Sequence, residues 1–133
     1  MLIAITSEGL EPSSLVAEKF GKTPFITFYD TEKNTFESLR NPYMNLFGGS
    51  GIQTAQFIIE KNAAVIITID IGLSPLRLLK SAGVEVYCCA KIQVQETVSE
   101  YIDGKIMSIK QESVKDAGWK GRGRKRQYRN KNR

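Results

Sequence analysis

The segment with the clearest chemical potential is a glycine-rich run, Gly48-Gly49-Ser50-Gly51, that leads directly into an amphipathic stretch of helical periodicity. Glycine lets the backbone approach a ligand closely, and the first turn of a helix leaves main-chain N–H groups without intrahelical partners, a combination that binds anions. The run lacks the lysine and hydroxyl of a P-loop and misses the spacing of the dinucleotide-binding motif. We predict an anion-binding turn here. The alternative is a flexible loop that needs only positive φ angles.

A second turn of the same kind follows at Asp70-Ile71-Gly72-Leu73-Ser74-Pro75, where an apolar strand passes into a helix. Ser74 is predicted to cap that helix and Pro75 to open it. Two such helix starts side by side would form a cleft for an anion. Asp70 is a candidate functional carboxylate, and its alternative role is capping of the turn that follows. A nuclease of the ribonuclease-H type would need several converging carboxylates, whereas only Asp70 stands at a strand end.

Cys88 and Cys89 follow the last central strand, and they are the only cysteines in a chain that has no histidine. Their thiolates are candidate ligands for a soft metal such as copper, iron or zinc. The alternative is that both are small buried hydrophobic residues, because two thiols make an incomplete tetrahedral site. Adjacent cysteines rarely pair, so we expect no structural disulfide and a reducing, cytoplasmic location. No apolar run is long enough to cross a membrane.

Positive charge is concentrated at the end of the chain. The net charge of the 133-residue chain is +5, yet residues 120–133 alone carry eight bases and no acid, which leaves 11 bases and 14 acids elsewhere. We predict a folded domain over residues 1–112 and a basic, disordered tail over residues 113–133. That tail is suited to bind nucleic acid or an acidic partner by counterion release, and the alternative is a solvated terminus.

Hydrophobic periodicity predicts an α/β domain with a mixed sheet and helices on its faces. Strands are expected at 2–5, 25–29, 35–39, 64–69 and 84–87, with a sixth if residues 105–110 contribute one. The second and third strands bracket a hairpin turn. Helices are expected at 13–20, from about Ser50 to Asn62, after Ser74, and around Val94 to Ile102. Gly83 and Gly104 are expected to end the last two helices.

Five stretches taken together resemble the dinitrogenase iron-molybdenum cofactor biosynthesis family. They occur in family order over residues 1 to about 110, and they are Leu2–Ile5, Val16–Phe25, Gly48–Ala55, Asp70–Pro75 and Leu79–Tyr87. Lys19 stands where family members often carry a histidine, and Asp70 stands where a glycine is common.

The resemblance implies a single ribonuclease-H-like domain without nuclease activity, which is not an enzyme but a carrier or scaffold for a metal-sulfur cofactor. The implied cofactor is an iron-molybdenum or a molybdenum-copper sulfide cluster, with cluster-assembly proteins as partners. Carried over by position, the implied binding residues are Ser7, Phe20, Gly21, Gly48, Gly49, Ser50, Gly51, Gly72 and Ser74. An anionic cluster suits main-chain donors at helix starts, because that attraction needs no thiol ligand.

Overall fold

Six strands form one mixed sheet in the computed structural model, which describes residues 1–109. The strands are β1 (Leu2–Ser7), β2 (Phe25–Asp30), β3 (Thr35–Arg40), β4 (Val65–Thr68), β5 (Glu85–Cys88) and β6 (Met107–Ser108), in the spatial order β3-β2-β1-β4-β5-β6. The central strands β1, β4 and β5 are parallel, and β2, β3 and β6 run antiparallel to their neighbours. The predicted α/β class, mixed sheet, hairpin and sixth strand are confirmed.

Within residues 1–109, three α-helices cover the two faces of this sheet: α1 (Ser50–Glu60), α2 (Leu73–Ser81) and α3 (Val94–Ile102). Successive residues of a strand point to opposite faces, so β1 divides its side chains between two apolar clusters. Ala4 packs with α1 and α2 on one face, whereas Ile3 and Ile5 pack with α3 on the other. The central strands are therefore apolar on both faces, as their uninterrupted apolar runs predict.

Two helices end where the sequence predicts, at glycine residues with a positive φ angle. Gly83 follows α2 with φ of 84° and Gly104 follows α3 with φ of 72°, both in the left-handed region that favours glycine. The helix α3 begins with a capping box. The Gln93 side chain accepts a hydrogen bond from the Glu96 N–H, and the Glu96 side chain accepts one from the Gln93 N–H.

The predicted helix over residues 13–20 is wrong. Instead, the segment between β1 and β2 is bonded to distant backbone: Val16 N–H donates to the Ile92 carbonyl at 2.9 Å, and Ala17 N–H donates to the Thr6 carbonyl at 3.0 Å. Only Phe20–Lys22 form a short 3-10 helix. In this extended conformation the backbone N–H groups bond to neighbouring elements. These bonds outweigh the helical spacing of apolar residues in the segment.

The predicted capping role of Ser74 is also wrong. The helix α2 begins at Leu73, with Gly72 as an extended N-cap residue that makes no side-chain capping bond, and Ser74 is an exposed residue of the first turn. Pro75 is tolerated in that turn because its missing N–H would have had no intrahelical acceptor there.

Some expectations fall beyond the part of the chain that the structure describes. The domain boundary at residue 112 and the basic tail over residues 113–133 lie outside the described residues, as do the partners predicted for that tail. Within residues 1–109, no helix combines the length and the apolar composition that a membrane crossing requires.

Substitution of Gly83 or Gly104 by alanine should lower the free energy of unfolding by about 1 kcal/mol each, because a side chain is strained at positive φ. A Cβ atom at either position would meet no atom within 4 Å, so no steric clash adds to the backbone strain. Denaturant titration measures it. Gly48→Ala is the matched control, since that glycine also has open space but lacks a positive φ; an equal loss there would contradict the strain account.

Candidate functional site

The candidate site lies at the edge of the sheet where the parallel strands β1, β4 and β5 end. In open α/β sheets, ligands bind outside these carboxyl ends. The chain leaves β4 through Ile69 and Asp70 into α2, and it leaves β5 through Cys89. The loop after β3 begins at the same edge of the sheet. Arg40, the last residue of β3, is paired with Phe25, and Phe25 is paired in turn with Ser7 at the end of β1. This loop carries the glycine-rich run into α1.

The first turn of α1 presents main-chain donors. Its N-cap residue is Gly49, in the left-handed conformation with φ of 76°, and no side chain caps the helix. Gln53 is the first residue whose N–H bonds into the helix, to the Gly49 carbonyl at 3.0 Å. The N–H groups of Ser50, Gly51 and Ile52 donate to no acceptor within residues 1–109. Because the first turn has no acidic residue either, its positive helix end is not neutralised.

The first turn of α2 has the same character. Leu76 N–H is the first to bond into the helix, to the Gly72 carbonyl at 3.2 Å, and Pro75 has no N–H to offer. The N–H groups of Leu73 and Ser74 find no acceptor in the described part of the chain, and no acidic residue lies in this turn. A second group of uncapped donors is therefore present.

The two helix starts are in contact. A Cβ atom built on Gly51 would lie 3.1 Å from Cγ of Pro75, closer than nearly all real Cβ contacts. Glycine at this position thus lets the first turns of α1 and α2 approach each other. The predicted adjacency of the two helix starts agrees with this geometry, and anion binding by them stays a prediction.

The 3-10 helix forms a third wall of the site. A Cβ atom on Gly21 would lie 2.9 Å from the Gly51 nitrogen and 3.0 Å from the Ser50 hydroxyl oxygen. Phe20 is buried in the core. Its N–H donates to the carbonyl of Asp70 at 2.9 Å, and this bond links the 3-10 helix to the end of β4. Phe20 and Gly21 therefore adjoin both helix starts.

Ser50 supplies the one side-chain hydroxyl of the α1 turn. Only 8% of this residue is exposed, and its hydroxyl has no hydrogen-bond partner among the described residues. A buried polar group without a partner is rare in native proteins and costs stability, so it calls for an explanation. A ligand bound at the helix start would supply the missing partner.

The remaining predicted contacts differ in accessibility. Gly48, Gly49 and Ser74 are exposed, and Gly72 is partly buried. Ser7 is fully buried, and its hydroxyl donates to the Gly9 carbonyl at 2.7 Å while its N–H donates to Thr23 Oγ1 at 3.0 Å. Its polar groups are thus engaged within the protein, and ligand contact by Ser7 stays a prediction.

A buried asparagine that sequence reasoning missed positions the α1 start. Asn41 donates through Nδ2 to the Thr23 carbonyl at 3.0 Å and to Thr54 Oγ1 at 3.1 Å, and its Oδ1 accepts from the Tyr43 N–H. These bonds join the segment before β2 to the first turns of α1. The only signal in the sequence was an Asn-Pro pair, which indicates no more than a loop.

Both cysteines are buried, and they pack on opposite faces of the sheet. Cys88 belongs to the apolar cluster beneath α1 and α2, and Cys89 belongs to the cluster beneath α3. Burial raises the pKa of the Cys88 thiol, with smaller contributions from Cys89 and Asp70, and burial also raises the pKa of Cys89 to about 12. Both thiols are therefore protonated at neutral pH. Within residues 1–109, no three His, Cys, Asp or Glu residues form a metal-holding group, and metal binding by Cys88 and Cys89 stays a prediction.

Comparison with known proteins identifies the family. The family model for the dinitrogenase iron-molybdenum cofactor matches residues 1–104, so the chain belongs to this family. The apo form of the orange protein from Desulfovibrio gigas is similar, with a TM-score of 0.78 and 27% identity over 81% of this chain and 92% of that one. A Thermotoga protein provisionally described as NifB has a TM-score of 0.71 and 29% identity, covering 80% and 91% of the two chains. No curated protein sequence matches significantly.

The raised thiol pKa values predict that stability falls at alkaline pH. The pKa of the Cys89 thiol is near its ordinary value of 9.0 in the unfolded chain and about 12 in the folded one, so the native state retains the proton between these values. The contribution of the two thiols to stability should therefore be constant below pH 9 and decline above it, by up to about 1.4 kcal/mol per pH unit for each thiol. Denaturant titrations from about pH 8 to about pH 10.5 measure the slope. Replacing both cysteines by alanine should reduce this slope, and the part that remains comes from Tyr87 and Tyr101, whose pKa values burial also raises. An unchanged slope would contradict the assignment.

Proposed function

We propose that this protein is a non-enzymatic carrier or scaffold for an anionic metal-sulfur cluster, held where α1 and α2 begin. One observation carries the proposal: two helix starts touch, and both present main-chain N–H groups that no described residue accepts. Membership of the dinitrogenase iron-molybdenum cofactor family supports a cluster of the iron-molybdenum type as cargo. A molybdenum-copper sulfide cluster is the second candidate within the same class, and cluster-assembly proteins would be the partners.

The chemistry of the donors fits such a cargo. Main-chain N–H groups and a hydroxyl stabilise negative charge by hydrogen bonding and by the helix dipole, and they do not ionise at neutral pH. Bridging sulfides at the surface of a cluster are hydrogen-bond acceptors with diffuse negative charge, so several weak donors suit them. A site of this kind can hold its cargo reversibly, as a carrier must.

Charged residues beside the donors favour the same class of ligand. Lys19 and Lys22 flank Phe20 and Gly21, and the ammonium group of Lys22 donates to the Leu46 carbonyl at 2.8 Å, which holds the loop before the glycine-rich run. Asp70 introduces an opposing negative charge, yet its backbone forms an isolated parallel bridge with Lys19, which brings a basic residue alongside it. We infer that the two lysines contribute to the electrostatic attraction of the cargo.

Anaerobic reconstitution tests the proposal. The reduced full-length chain would be incubated with ferrous iron, sulfide and molybdate, or with tetrathiomolybdate and copper, and then desalted. We expect a coloured protein that retains molybdenum, measured by elemental analysis and visible absorption. A colourless, metal-free protein under every one of these conditions would overturn the proposal.

Steric variants localise the site. Gly21→Ala and Gly51→Ala should each lower cluster retention by at least about tenfold, because a Cβ atom at these positions collides with the α1 backbone or with Pro75 and separates the walls of the site. Gly48→Ala is the matched control, since its Cβ would meet nothing within 4 Å. Circular dichroism confirms that each variant is folded. Equal retention by all three folded variants would place the cargo elsewhere.

Replacement of Ser50 by alanine should separate function from stability. Removing a buried hydroxyl that has no described partner should leave the free energy of unfolding unchanged or raise it by up to about 1 kcal/mol. The same change should weaken cluster retention, because one donor to the cargo is lost. Thermal unfolding and metal retention are measured on the same preparation. If Ser50→Ala destabilises the apo protein and leaves retention intact, Ser50 is structural.

A further inference from the structure

One edge of the sheet is left open in the described part of the chain. The strand β3 forms this edge, and its six residues pair with β2 on one side, without a proline and without a break in the register. The strand at the opposite edge, β6, is only two residues long. Natural sheets shorten, bulge or cover their edge strands, because an exposed edge is a template for pairing with another chain. The strand β6 is shortened in this way, whereas β3 is not.

The hydrogen bonds beside β3 show which of its main-chain groups face outward. Asn41, which follows β3, donates its N–H to the Pro24 carbonyl on the β2 side at 2.9 Å. Main-chain groups of successive residues in a strand point to alternate sides, so those of Phe36, Ser38 and Arg40 point away from β2. No residue within 1–109 bonds to these groups. A row of unused main-chain donors and acceptors therefore lies along β3.

This row is complementary to itself. When two copies of β3 lie antiparallel about a two-fold axis at Ser38, Ser38 pairs with its own copy and Phe36 pairs with Arg40 of the second copy. Each such pair exchanges both of its N–H···O bonds, so every outward group in the row finds a partner. A slip of two residues would instead set Arg40 against Asn34 of the hairpin turn, or Phe36 against Pro42, which has no N–H.

The side chains suit the same register. Phe36 would lie opposite Arg40 of the second copy, with Cβ atoms about 5 Å apart. The guanidinium of Arg40 already lies 5.4 Å from the centre of the Phe25 ring, so a cation stands ready for a further aromatic ring on this face. Glu37 would lie opposite Leu39, whereas a slip of two residues in one direction would set Glu37 against itself. No like charges directly oppose each other in this pairing.

We propose that two copies of this chain associate through β3 and form one continuous sheet about a two-fold axis at Ser38. The contact is isologous, which is the commonest arrangement in soluble oligomers. Because the two strands are antiparallel, the loops that lead from β3 into α1 leave from opposite ends of the interface. The two candidate cluster sites would lie at these opposite ends, and the association is independent of what they bind.

Sedimentation of the full-length protein tests the association. We expect a molecular mass that rises from that of one chain toward that of two over about a hundredfold range of protein concentration. No cluster, metal or partner protein is added, so the result does not depend on the carrier proposal. The mass of a single chain at every concentration would overturn the proposal, and the edge would then be free or reserved for a different protein.

Charges introduced at Ser38 test the position of the axis. Ser38→Lys and Ser38→Glu should each weaken association by at least about tenfold, because like charges would face each other across the axis. An equimolar mixture of the two variants should associate again, because a cation then faces an anion. Only a residue that lies opposite its own copy gives this result. A monomeric mixture, or single variants that associate like the wild type, would refute the pairing.

Two control variants separate the interface from the fold. Ser38→Ala removes the 2.7 Å bond between the hydroxyls of Ser38 and Thr27 without adding charge, and it should associate like the wild type. Thr35→Lys adds a charge to an exposed residue of β3 outside the paired stretch 36–40, and it should also leave association intact. Circular dichroism confirms that each variant is folded. Loss of association in either folded control would contradict the proposed register.

Discussion

The structure of the candidate site depends on close approach between three backbone segments, which two glycines make possible. Gly21 brings the 3-10 helix against the first turn of α1, and Gly51 brings that turn against Pro75 of α2. A side chain at Gly21 would collide with the α1 backbone, and one at Gly51 would press on the Pro75 ring. Uncapped donors from two helices therefore face one small region, where each helix alone would offer a single weak anion site.

Much of the fold could be predicted from local sequence because local interactions determine those parts. The apolar run of β4 is buried on both faces, the turn between β2 and β3 is short and polar, and Gly83 and Gly104 end their helices. In each case the structure is determined within a few residues, either by the pattern of apolar side chains or by the preference of glycine for a positive φ angle. The prediction for the segment after β1 failed for the opposite reason, since its extended form depends on bonds to Ile92 and Asp70, far along the chain.

The candidate site was predictable in its parts but not in its assembly. Glycine-rich runs at two helix starts could be recognised, and the topology of a parallel sheet placed them at one edge. Nothing in the sequence indicates that Gly21 would contact Ser50 and Gly51, because such contacts form only after the sheet is in place. The hydrogen bonds from Asn41 to Thr23 and Thr54 could not be predicted either, since a buried asparagine and a solvated loop asparagine look the same in the sequence.

Recognition through main-chain groups, as proposed for this site, has an evolutionary consequence. Apart from substitution by proline, which removes the N–H, a point mutation cannot delete a donor of the peptide backbone. It can only displace the donor, and here displacement requires a larger residue at Gly21 or Gly51. The surrounding side chains are then free to diverge while the recognising surface persists.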